Sequence, residues 1–309
     1  MGSPLESGNF RMLLKKQFDQ VSQGVMDAEA IASKIPQIFT MVSGTKAVNE
    51  YYNVGTLGDI PQFTGQLSYL EMSPGFHIKI EPAEFAAGLE WQRKFVDDNQ
   101  YAVMKDGRGE LMSSCLRTKE KRGASPFINA FSTAYDFQTS EEGVSLCSGS
   151  HLTKSGTSTS SGFDNSDTSA LSRTSVAATR IKMKMFRNDR SELFEAGDDF
   201  ALIVPLSLEE KANEIVASPS NPDNANDQAN FHKSRYEVIP WVRLEDNDTN
   251  NWFMVNKKLM KKSLIWIDRI MPETNMTIDF ETFSLKDSIY ARFGWGQLDW
   301  RFILGHNVS

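Results

Sequence analysis

The sequence is short of cysteine, of basic charge and of long apolar runs, and each shortage excludes a class of protein. Its 309 residues include only two cysteines, Cys115 and Cys147, and no Cys-x-x-Cys spacing, which excludes a disulfide scaffold and indicates a reducing compartment. The net charge is −7, whereas general affinity for nucleic acid needs a basic surface. Since no apolar run reaches membrane-spanning length and the N-terminus lacks the apolar core of a signal peptide, we expect a soluble cytoplasmic product.

Residues suited to catalysis or metal binding are also scarce. The four histidines share no metal-ligand spacing: His77, His151, His232 and His306. Asp246–Asn250 imitates the start of a calcium loop, but the sixth position is Asn251 rather than Gly and the twelfth is Lys257 rather than Glu. We therefore predict no catalytic residue, no metal site and no cofactor. An enzyme with a hidden carboxylate site stays open as a minor alternative.

The sequence does contain a stretch, Leu57–Arg122, that reads as a long extended hairpin followed by a long helix. The predicted first arm is Phe63–Met72, and Ser73-Pro74-Gly75 has the chemistry of a turn. The return arm, Phe76–Ile80, alternates apolar and polar residues. A two-stranded hairpin of this length is marginal alone, so we infer that something outside the chain covers it, as in a subunit built for assembly.

The helix that follows has Asp97 or Asp98 as its predicted N-cap. Its buried face is predicted from residues spaced by three and four: Tyr101, Met104, Arg108, Leu111, Met112, Cys115, Leu116 and Lys119. Gly107 and Gly109 each cost about 1 kcal/mol inside a helix, so a kink, or a start after them, is expected. Gly123–Pro126 is predicted to break the helix.

The rest of the chain mixes helices and strands without α/β alternation, which favours an α+β fold with a discontinuous domain. Helices are predicted at Phe10–Val21, Asp27–Lys34 (ended by Pro36), Leu171–Phe186 and Leu206–Val216, the last with Ser207 as N-cap. Strands are predicted at Val144–Cys147, Phe200–Pro205, Tyr236–Trp241, Trp252–Val255, Leu264–Ile267, Met276–Phe283 and Ser288–Phe302. The strands from Phe200 to Ile267 are expected to share one sheet. Surface loops are predicted at residues 153–169 and Ala217–Asn230.

Several segments, taken in order, carry a family resemblance that no single one would establish. They are Glu50–Asn53 with Leu57–Pro61, Phe85–Asn99, Gly143–Leu146 with Ser150-His151, Leu202–Val216, Trp252–Ile267 and Asp299-Trp300-Arg301. From about Phe39 to Asn307 the chain resembles the major capsid (major head) proteins of tailed bacteriophages, in particular the Mu-like major head subunit branch.

The resemblance implies the HK97-type capsid fold. Residues 1–56 would be the N-terminal arm and residues 57–84 the extended E-loop. Residues 85–199 and 268–309 would form the peripheral domain with its long spine helix, and residues 200–267 the axial domain. The implied function is self-assembly into pentamers and hexamers that close as an icosahedral head shell around double-stranded DNA. The runner-up is an encapsulin-like cellular compartment shell of the same fold, which encloses protein cargo.

The resemblance also implies partners and a location. The partners are other copies of the chain, a separate scaffolding protein and a portal, with a decoration protein left open. Packaged DNA would be contacted only weakly at an acidic inner face. The location would be the virion capsid, assembled in the host bacterial cytoplasm, with no membrane contact. Some members of this fold cross-link their subunits covalently through a lysine of the E-loop. Lys79 lies mid-arm rather than at the tip of the E-loop, so we predict no covalent cross-linking here.

Four residues of the E-loop are predicted to contact neighbouring subunits: Phe63, Tyr69, Met72 and Phe76. A neighbouring subunit would supply the burial that the extended hairpin lacks. On this interpretation, Phe76→Asp should leave a folded monomer that forms no shells.

Overall fold

The computed structural model describes residues 7–133, 138–154, 162–194, 197–219 and 229–308, with side chains except at 7–14 and 138–140. The helices are α1 (Ser7–Ala32), α2 (Ile35–Ile38), α3 (Arg93–Asp97), α4 (Tyr101–Ile128), α5 (Arg173–Lys184), α6 (Glu209–Ala217), α7 (Val242–Glu245) and α8 (Lys257–Ser263). The strands are β1 (Thr40–Ser43), β2 (Asn49–Val54), β3 (Pro74–Ile80), β4 (Ala83–Trp91), β5 (Gln138–Ser140), β6 (Ser166–Asp167), β7 (Phe200–Val204), β8 (Tyr236–Pro240), β9 (Trp252–Asn256), β10 (Leu264–Ile278), β11 (Leu285–Gln297) and β12 (Ile303–His306).

The described strands form three sheets. A four-stranded sheet has the order β1-β10-β11-β4 and is antiparallel except where β1 lies beside β10. A five-stranded sheet has the order β6-β12-β9-β7-β8, with parallel pairs at its two edges. A small antiparallel sheet has the order β2-β3-β5. Helices and strands are interleaved without repeated βαβ units, which confirms the predicted α+β class.

The main hydrophobic core joins the five-stranded sheet to α2, α5, α6 and the C-terminal end of α4. Strand β7 is buried along its whole length, as predicted from the apolar run Phe200–Pro205. The strands predicted at Tyr236–Trp241 and Trp252–Val255 are β8 and β9 of the same sheet. The prediction that Leu264–Ile267 belongs there is wrong, because this segment begins β10 of the four-stranded sheet. A short apolar run is compatible with either sheet, and only the pairing distinguishes them.

Helix α4 is the predicted long helix, but its boundaries differ from those predicted. Asp97 is the last residue of α3 and α4 begins at Tyr101, so the predicted N-cap at Asp97 or Asp98 is wrong. Most of the segment Phe85–Asn99 lies in β4 and α3, ahead of the long helix.

The predicted break at Gly123–Pro126 is also wrong, since α4 runs through it. Pro126 has no N–H to donate to the carbonyl of Arg122. The hydroxyl of Ser125 donates to that carbonyl at 2.8 Å, and it accepts a hydrogen bond from Nε1 of Trp295 in β11, also at 2.8 Å. A local side chain and a distant strand therefore stabilise the helix where its backbone bond is missing.

The two glycines inside α4 face different neighbours, and the helix does not start after them as one alternative predicted. A Cβ at Gly107 would lie 2.5 Å from the ring of Trp91 in β4, which is too close for any real contact. A Cβ at Gly109 would lie 3.5 Å from Val21 of α1, an ordinary van der Waals distance. Gly107 is therefore required for the approach of β4, whereas Gly109 is not required for packing.

Alanine at these two positions should have opposite effects on the free energy of unfolding. Gly109→Ala should stabilise the subunit by up to about 1 kcal/mol, because alanine has the higher helix propensity. Gly107→Ala should destabilise it by about 1–3 kcal/mol, because the added methyl overpacks against Trp91. Urea unfolding of both variants beside the wild type measures the two effects, and equal stabilisation by both would contradict the packing role of Gly107.

The N-terminal helices also differ from those predicted. The expected helices Phe10–Val21 and Asp27–Lys34 are not separate, because one continuous α1 runs through the first and through the second as far as Ala32. Pro36 lies in the first turn of α2 rather than ending a helix, and proline is tolerated there because a first-turn N–H has no helical partner.

Two further predictions in the middle of the chain are wrong. Ser207 lies in a 3-10 turn, Leu206–Leu208, and its hydroxyl donates to Glu245; α6 begins only at Glu209. The strand predicted at Val144–Cys147 is absent, because the backbone there is irregular within the described range 138–154.

The helix predicted at Leu171–Phe186 is confirmed as α5. Parts of the loops predicted at 153–169 and 217–230 lie outside the described residues.

The predicted hairpin is wrong in its first arm and its turn. Strand β3 pairs with β2, placing Ile78 opposite Tyr51. Pro74 begins β3, where proline is accepted because no ladder hydrogen bond is required of it. The alternation of the return arm is confirmed, since Ile78 and Ile80 are buried and Lys79 is exposed. Residues 56–72 form an irregular connection between β2 and β3, called the exposed loop from here on.

A long hairpin does exist, but it is formed by β10 and β11 within the four-stranded sheet. The predicted strand Met276–Phe283 is interrupted, because β10 ends at Ile278 and a turn closes where the N–H of Asp279 donates to the carbonyl of Ser284. The predicted strand Ser288–Phe302 is likewise two elements, β11 and a turn that leads to β12.

Candidate assembly surface

The exposed loop is the most extended irregular segment among the described residues, and its apolar side chains are not packed inside the subunit. Every residue from 56 to 72 is exposed except Gly58, which is half-buried. Its exposed apolar side chains are Leu57, Ile60, Phe63, Leu67, Tyr69, Leu70 and Met72. Irregular loops of this length are uncommon in compact domains and usually have a function. Apolar clusters of this kind are typical of protein–protein contact sites.

Three of the four predicted contact residues lie in this loop. Phe63, Tyr69 and Met72 are 71%, 89% and 56% exposed. Phe76 lies instead on β3 and is half-buried, so an aspartate there would disturb the small sheet as well as any contact with a neighbour. Sequence reasoning missed Ile60, which is 89% exposed. Its position beside Pro61 was the available signal, because proline disfavours continuation of a regular sheet.

The two ends of the exposed loop are held together by Arg190, a residue that the sequence analysis did not single out. The Nε of Arg190 donates to the carbonyl of Thr56 at 3.1 Å, and Nη2 donates to the carbonyl of Glu71 at 3.0 Å. Just beyond, the N–H of Gly55 donates to the carbonyl of Ser73 at 2.8 Å. The loop therefore leaves and re-enters the subunit at one narrow place.

The small sheet beneath the loop carries polar side chains that pair within the chain. The ring of His77 stacks on Tyr52 with ring centroids 4.4 Å apart. The backbone N–H of His77 donates to the carboxylate of Glu141 at 3.1 Å. Lys154 donates to the same carboxylate at 2.7 Å, and these hydrogen bonds lower the pKa of Glu141. These contacts hold the small sheet, from which the exposed loop extends, in one arrangement.

A second exposed apolar group lies at the turn between β10 and β11. Phe280 is 90% exposed, and Ile278 and Phe283 are more than 40% exposed. Phe283 adopts a positive φ of 53°, and the guanidinium of Arg93 lies 5.8 Å from its ring. This turn and the exposed loop both present aromatic rings to solvent.

A cleft of about 590 Å³ lies between α1, α2, α4 and α7, and two of the charged groups that line it, Lys119 and Glu120, have partners within the chain. Glu120 accepts hydrogen bonds from the hydroxyl of Ser33 at 2.8 Å and from the N–H of Lys34 at 2.9 Å. Lys119 pairs with Asp268 at 2.9 Å. These contacts join α4 to the connection between α1 and α2 and to strand β10, so both side chains hold parts of the subunit together.

The histidines and cysteines lie at separate places in the described residues. His151 contacts Glu142 and stacks on Trp300 at 4.2 Å. His232 contacts Tyr236, and burial lowers its pKa. Burial raises the pKa of the thiol of Cys147 far above the physiological range. Within the described ranges, no group of three or more His, Cys, Asp or Glu side chains is arranged to hold a metal ion.

A family model described as phage capsid protein matches residues 78–304. The chain belongs to the phage capsid protein family. It is a major capsid shell protein, and the family match does not favour the alternative of a cellular compartment shell. No curated protein sequence matches the chain. Among the residues that the structure describes, no helix is both long and apolar enough to cross a membrane.

Solved structures share the fold of this capsid protein at low sequence identity. A chain from Mycobacterium phage Patience has a TM-score of 0.59 and 8% identity, over 94% of this chain and 87% of that chain. A capsid chain of the native GTA particle has a TM-score of 0.53 and 11% identity, over 89% and 90%. A chain of the bacteriophage PhiM1 mature capsid has a TM-score of 0.51 and 10% identity, over 90% and 87%. These matches confirm the predicted HK97-type fold.

Proposed function

We propose that the capsid protein assembles into pentamers and hexamers, which close as an icosahedral head around double-stranded DNA, and that the exposed loop makes contacts between subunits. The observation that carries this proposal is a series of solvent-exposed apolar side chains along one loop, among them Phe63 and Tyr69, on a subunit of the phage capsid family. Ring contacts of this kind join one patch to a different patch on the next copy, and rotation closes the ring.

The energetic argument concerns the loop's aromatic residues. Burying an exposed side chain of the size of Phe63 contributes about 1.5–3 kcal/mol. The same contact recurs at every subunit of a ring, so a modest contribution per subunit adds to a large one per shell. Tyr69 and Met72 are proposed to be buried in the same contact, with Phe76 packing at its edge from β3.

The finer assignments belong to the same proposal. The division into N-terminal arm, E-loop, peripheral domain and axial domain is proposed as predicted from the sequence, except that the axial domain ends before β10, which begins at Leu264. The proposed partners are a separate scaffolding protein, a portal and packaged DNA, with assembly in the host bacterial cytoplasm. Membership of the Mu-like branch and the absence of cross-linking are supported by the sequence alone. We propose a structural role without catalysis.

Phe63→Asp should abolish shells while leaving the subunit folded. The side chain is exposed in the subunit, so the substitution removes no internal packing. In the proposed contact it would bury an unpaired carboxylate, which is strongly unfavourable. We expect at least about a tenfold fall in assembled particles, measured by negative-stain electron microscopy and sedimentation under conditions where the wild type forms shells.

Gln62→Asp is the matched control. Gln62 is an exposed polar neighbour in the same loop, so this variant adds the same charge without removing an aromatic ring. It should assemble almost as the wild type does. Normal particles from Phe63→Asp would contradict the proposed loop contact, and equal failure of both variants would assign the effect to charge rather than to the ring.

A further inference from the structure

The two ends of the exposed loop meet at one guanidinium group, that of Arg190. We infer that Arg190 is a positioning residue that fixes the direction in which the loop leaves the subunit, and so presents its aromatic side chains to the neighbouring copy. The inference rests on the proposed function only for its second half, the presentation to a neighbour. The first half concerns the isolated subunit.

The contact geometry suits one arginine better than any other side chain. Nε and Nη2 donate to the carbonyls of Thr56 and Glu71, which stand at opposite ends of the loop. A planar guanidinium can donate in two directions at once, whereas a lysine ammonium is a single point of charge. Gly58 passes close to the same group, since a Cβ there would lie 3.1 Å from Nη1. Among the described residues, no other side chain hydrogen-bonds to residues 56–72.

Arg190 is itself held by a tight turn that is joined to the core. Oδ1 of Asn188 accepts hydrogen bonds from the N–H groups of Arg190 and Glu192 at 3.0 and 2.9 Å. Ser191 takes the positive φ of 66° that the turn requires. Asn188 is buried, which fixes the turn relative to the subunit.

The neighbouring Asp189 adds a second attachment for this turn. It pairs with Arg301 at 2.9 Å, and Arg301 is nine-tenths buried beside the ring of Trp300. Nε of Arg301 also donates to the carbonyl of Arg187 at 2.8 Å. The turn therefore holds the guanidinium of Arg190 in place before any neighbour binds, which lowers the ordering cost of assembly.

The test is hydrogen exchange, followed by mass spectrometry, on Arg190→Ala in the unassembled subunit. The amide of Gly55, which donates to Ser73 where the loop's two ends meet, should exchange about three- to tenfold faster, the range expected for loss of a net hydrogen bond. Exchange in β7 should not change. Arg117→Ala removes an exposed arginine of α4 and should leave the loop ends as they are in the wild type.

Arg190→Lys separates charge from geometry, because it keeps the positive charge but loses the two-direction donation. It should exchange nearly as fast as Arg190→Ala. Unchanged exchange at the loop ends in Arg190→Ala would overturn the inference, and so would full protection in Arg190→Lys.

Particle yield from the same variants tests the second half of the inference. Arg190→Ala should assemble at least several-fold less than the wild type. If exchange rises but particle yield stays normal, presentation to a neighbour by Arg190 is refuted. If Phe63→Asp also assembles normally, the proposed loop contact fails as well, so the two failures are distinguishable.

Discussion

Arg108→Met should lower the free energy of unfolding by about 3–5 kcal/mol, because it leaves a buried carboxylate without its cation. Arg108 lies on α4 and is almost fully buried, as is Asp287 on β11, to which its Nη1 donates. Nη2 contacts Asp19 of α1 at 3.2 Å, and Nε donates to the hydroxyl of Ser22 at 3.0 Å. One guanidinium therefore joins α1, the long helix and the four-stranded sheet.

Without Arg108, the carboxylate of Asp287 would be a buried charge with no cation beside it, which is energetically unfavourable. Burial raises its pKa, and Arg108 opposes that rise by favouring the charged form. Its second oxygen, Oδ2, is buried without a hydrogen bond in the described structure, so Arg108 provides most of its compensation. Methionine preserves the apolar stem of arginine and removes only the charged head. Urea unfolding of the isolated subunit at neutral pH measures the loss.

Two control variants separate the ion pair from general damage. Arg117→Met removes an exposed arginine of the same helix, whose Nη1 lies 3.7 Å from Glu110, and should change stability by less than about 1 kcal/mol. The double variant Arg108→Met with Asp287→Leu removes both buried charges and should recover much of the loss. If the double variant is as unstable as the two single losses added together, the buried pair is not the cause.

The sequence predicted best those elements whose burial is uniform. Phe200–Val204 is apolar at every position and every position is buried, so no partner had to be known to identify it. The long helix was also predicted, and Met104, Leu111 and Met112 of its predicted face are buried. Its end was misplaced because Gly123 and Pro126 are locally unfavourable in a helix. Glycine is required at position 123 because a Cβ there would lie only 2.7 Å from Cγ1 of Ile35.

The candidate assembly surface could be predicted only in part. The sequence predicted Phe63, Tyr69 and Met72 as contact residues because the extended hairpin lacks burial of its own, and all three side chains are exposed. The strand assigned to them was wrong, since the hydrogen-bonding partner of β3 is β2 and the residues between them form a loop. Arg190 could not be found in the same way. Its acceptors are backbone carbonyls, which carry no side-chain signal in a sequence, at positions 119 and 134 residues away.

Acid should destabilise the subunit through His306, which is fully buried on β12. Its ring stacks on Trp252 at 3.8 Å, and Nε2 lies 2.8 Å from the hydroxyl of Thr179. That hydroxyl donates to the carbonyl of Ser175 at 2.6 Å, so it accepts the Nε2–H, and Nδ1 is left as the site that a second proton must take. Burial lowers the pKa of His306 to about 4 from a usual value of 6.5, with Lys182 acting in the same direction and Asp167 opposing it.

The sign of the effect follows from which state binds the proton. Between pH 6.5 and about pH 4 the unfolded chain is protonated at this histidine and the folded subunit is not, so stability falls as the pH falls. The full difference corresponds to about 3 kcal/mol at pH 4. Above pH 6.5 the two states bind the same number of protons here, and His306 contributes no dependence on pH. The lowered pKa of His232 acts in the same direction, so His306 has to be tested by a variant.

His306→Phe keeps the stack on Trp252 but cannot be protonated. At pH 8 it should be less stable than the wild type by about 1 kcal/mol, because the hydrogen bond to Thr179 is lost. At pH 5 the difference should vanish or change sign. Thr179→Val is the matched control, because it removes the same hydrogen bond and retains the imidazole. Its loss of stability should persist across the acid range. Parallel curves of unfolding free energy against pH for the wild type and His306→Phe would show that the buried imidazole is not what makes the subunit sensitive to acid.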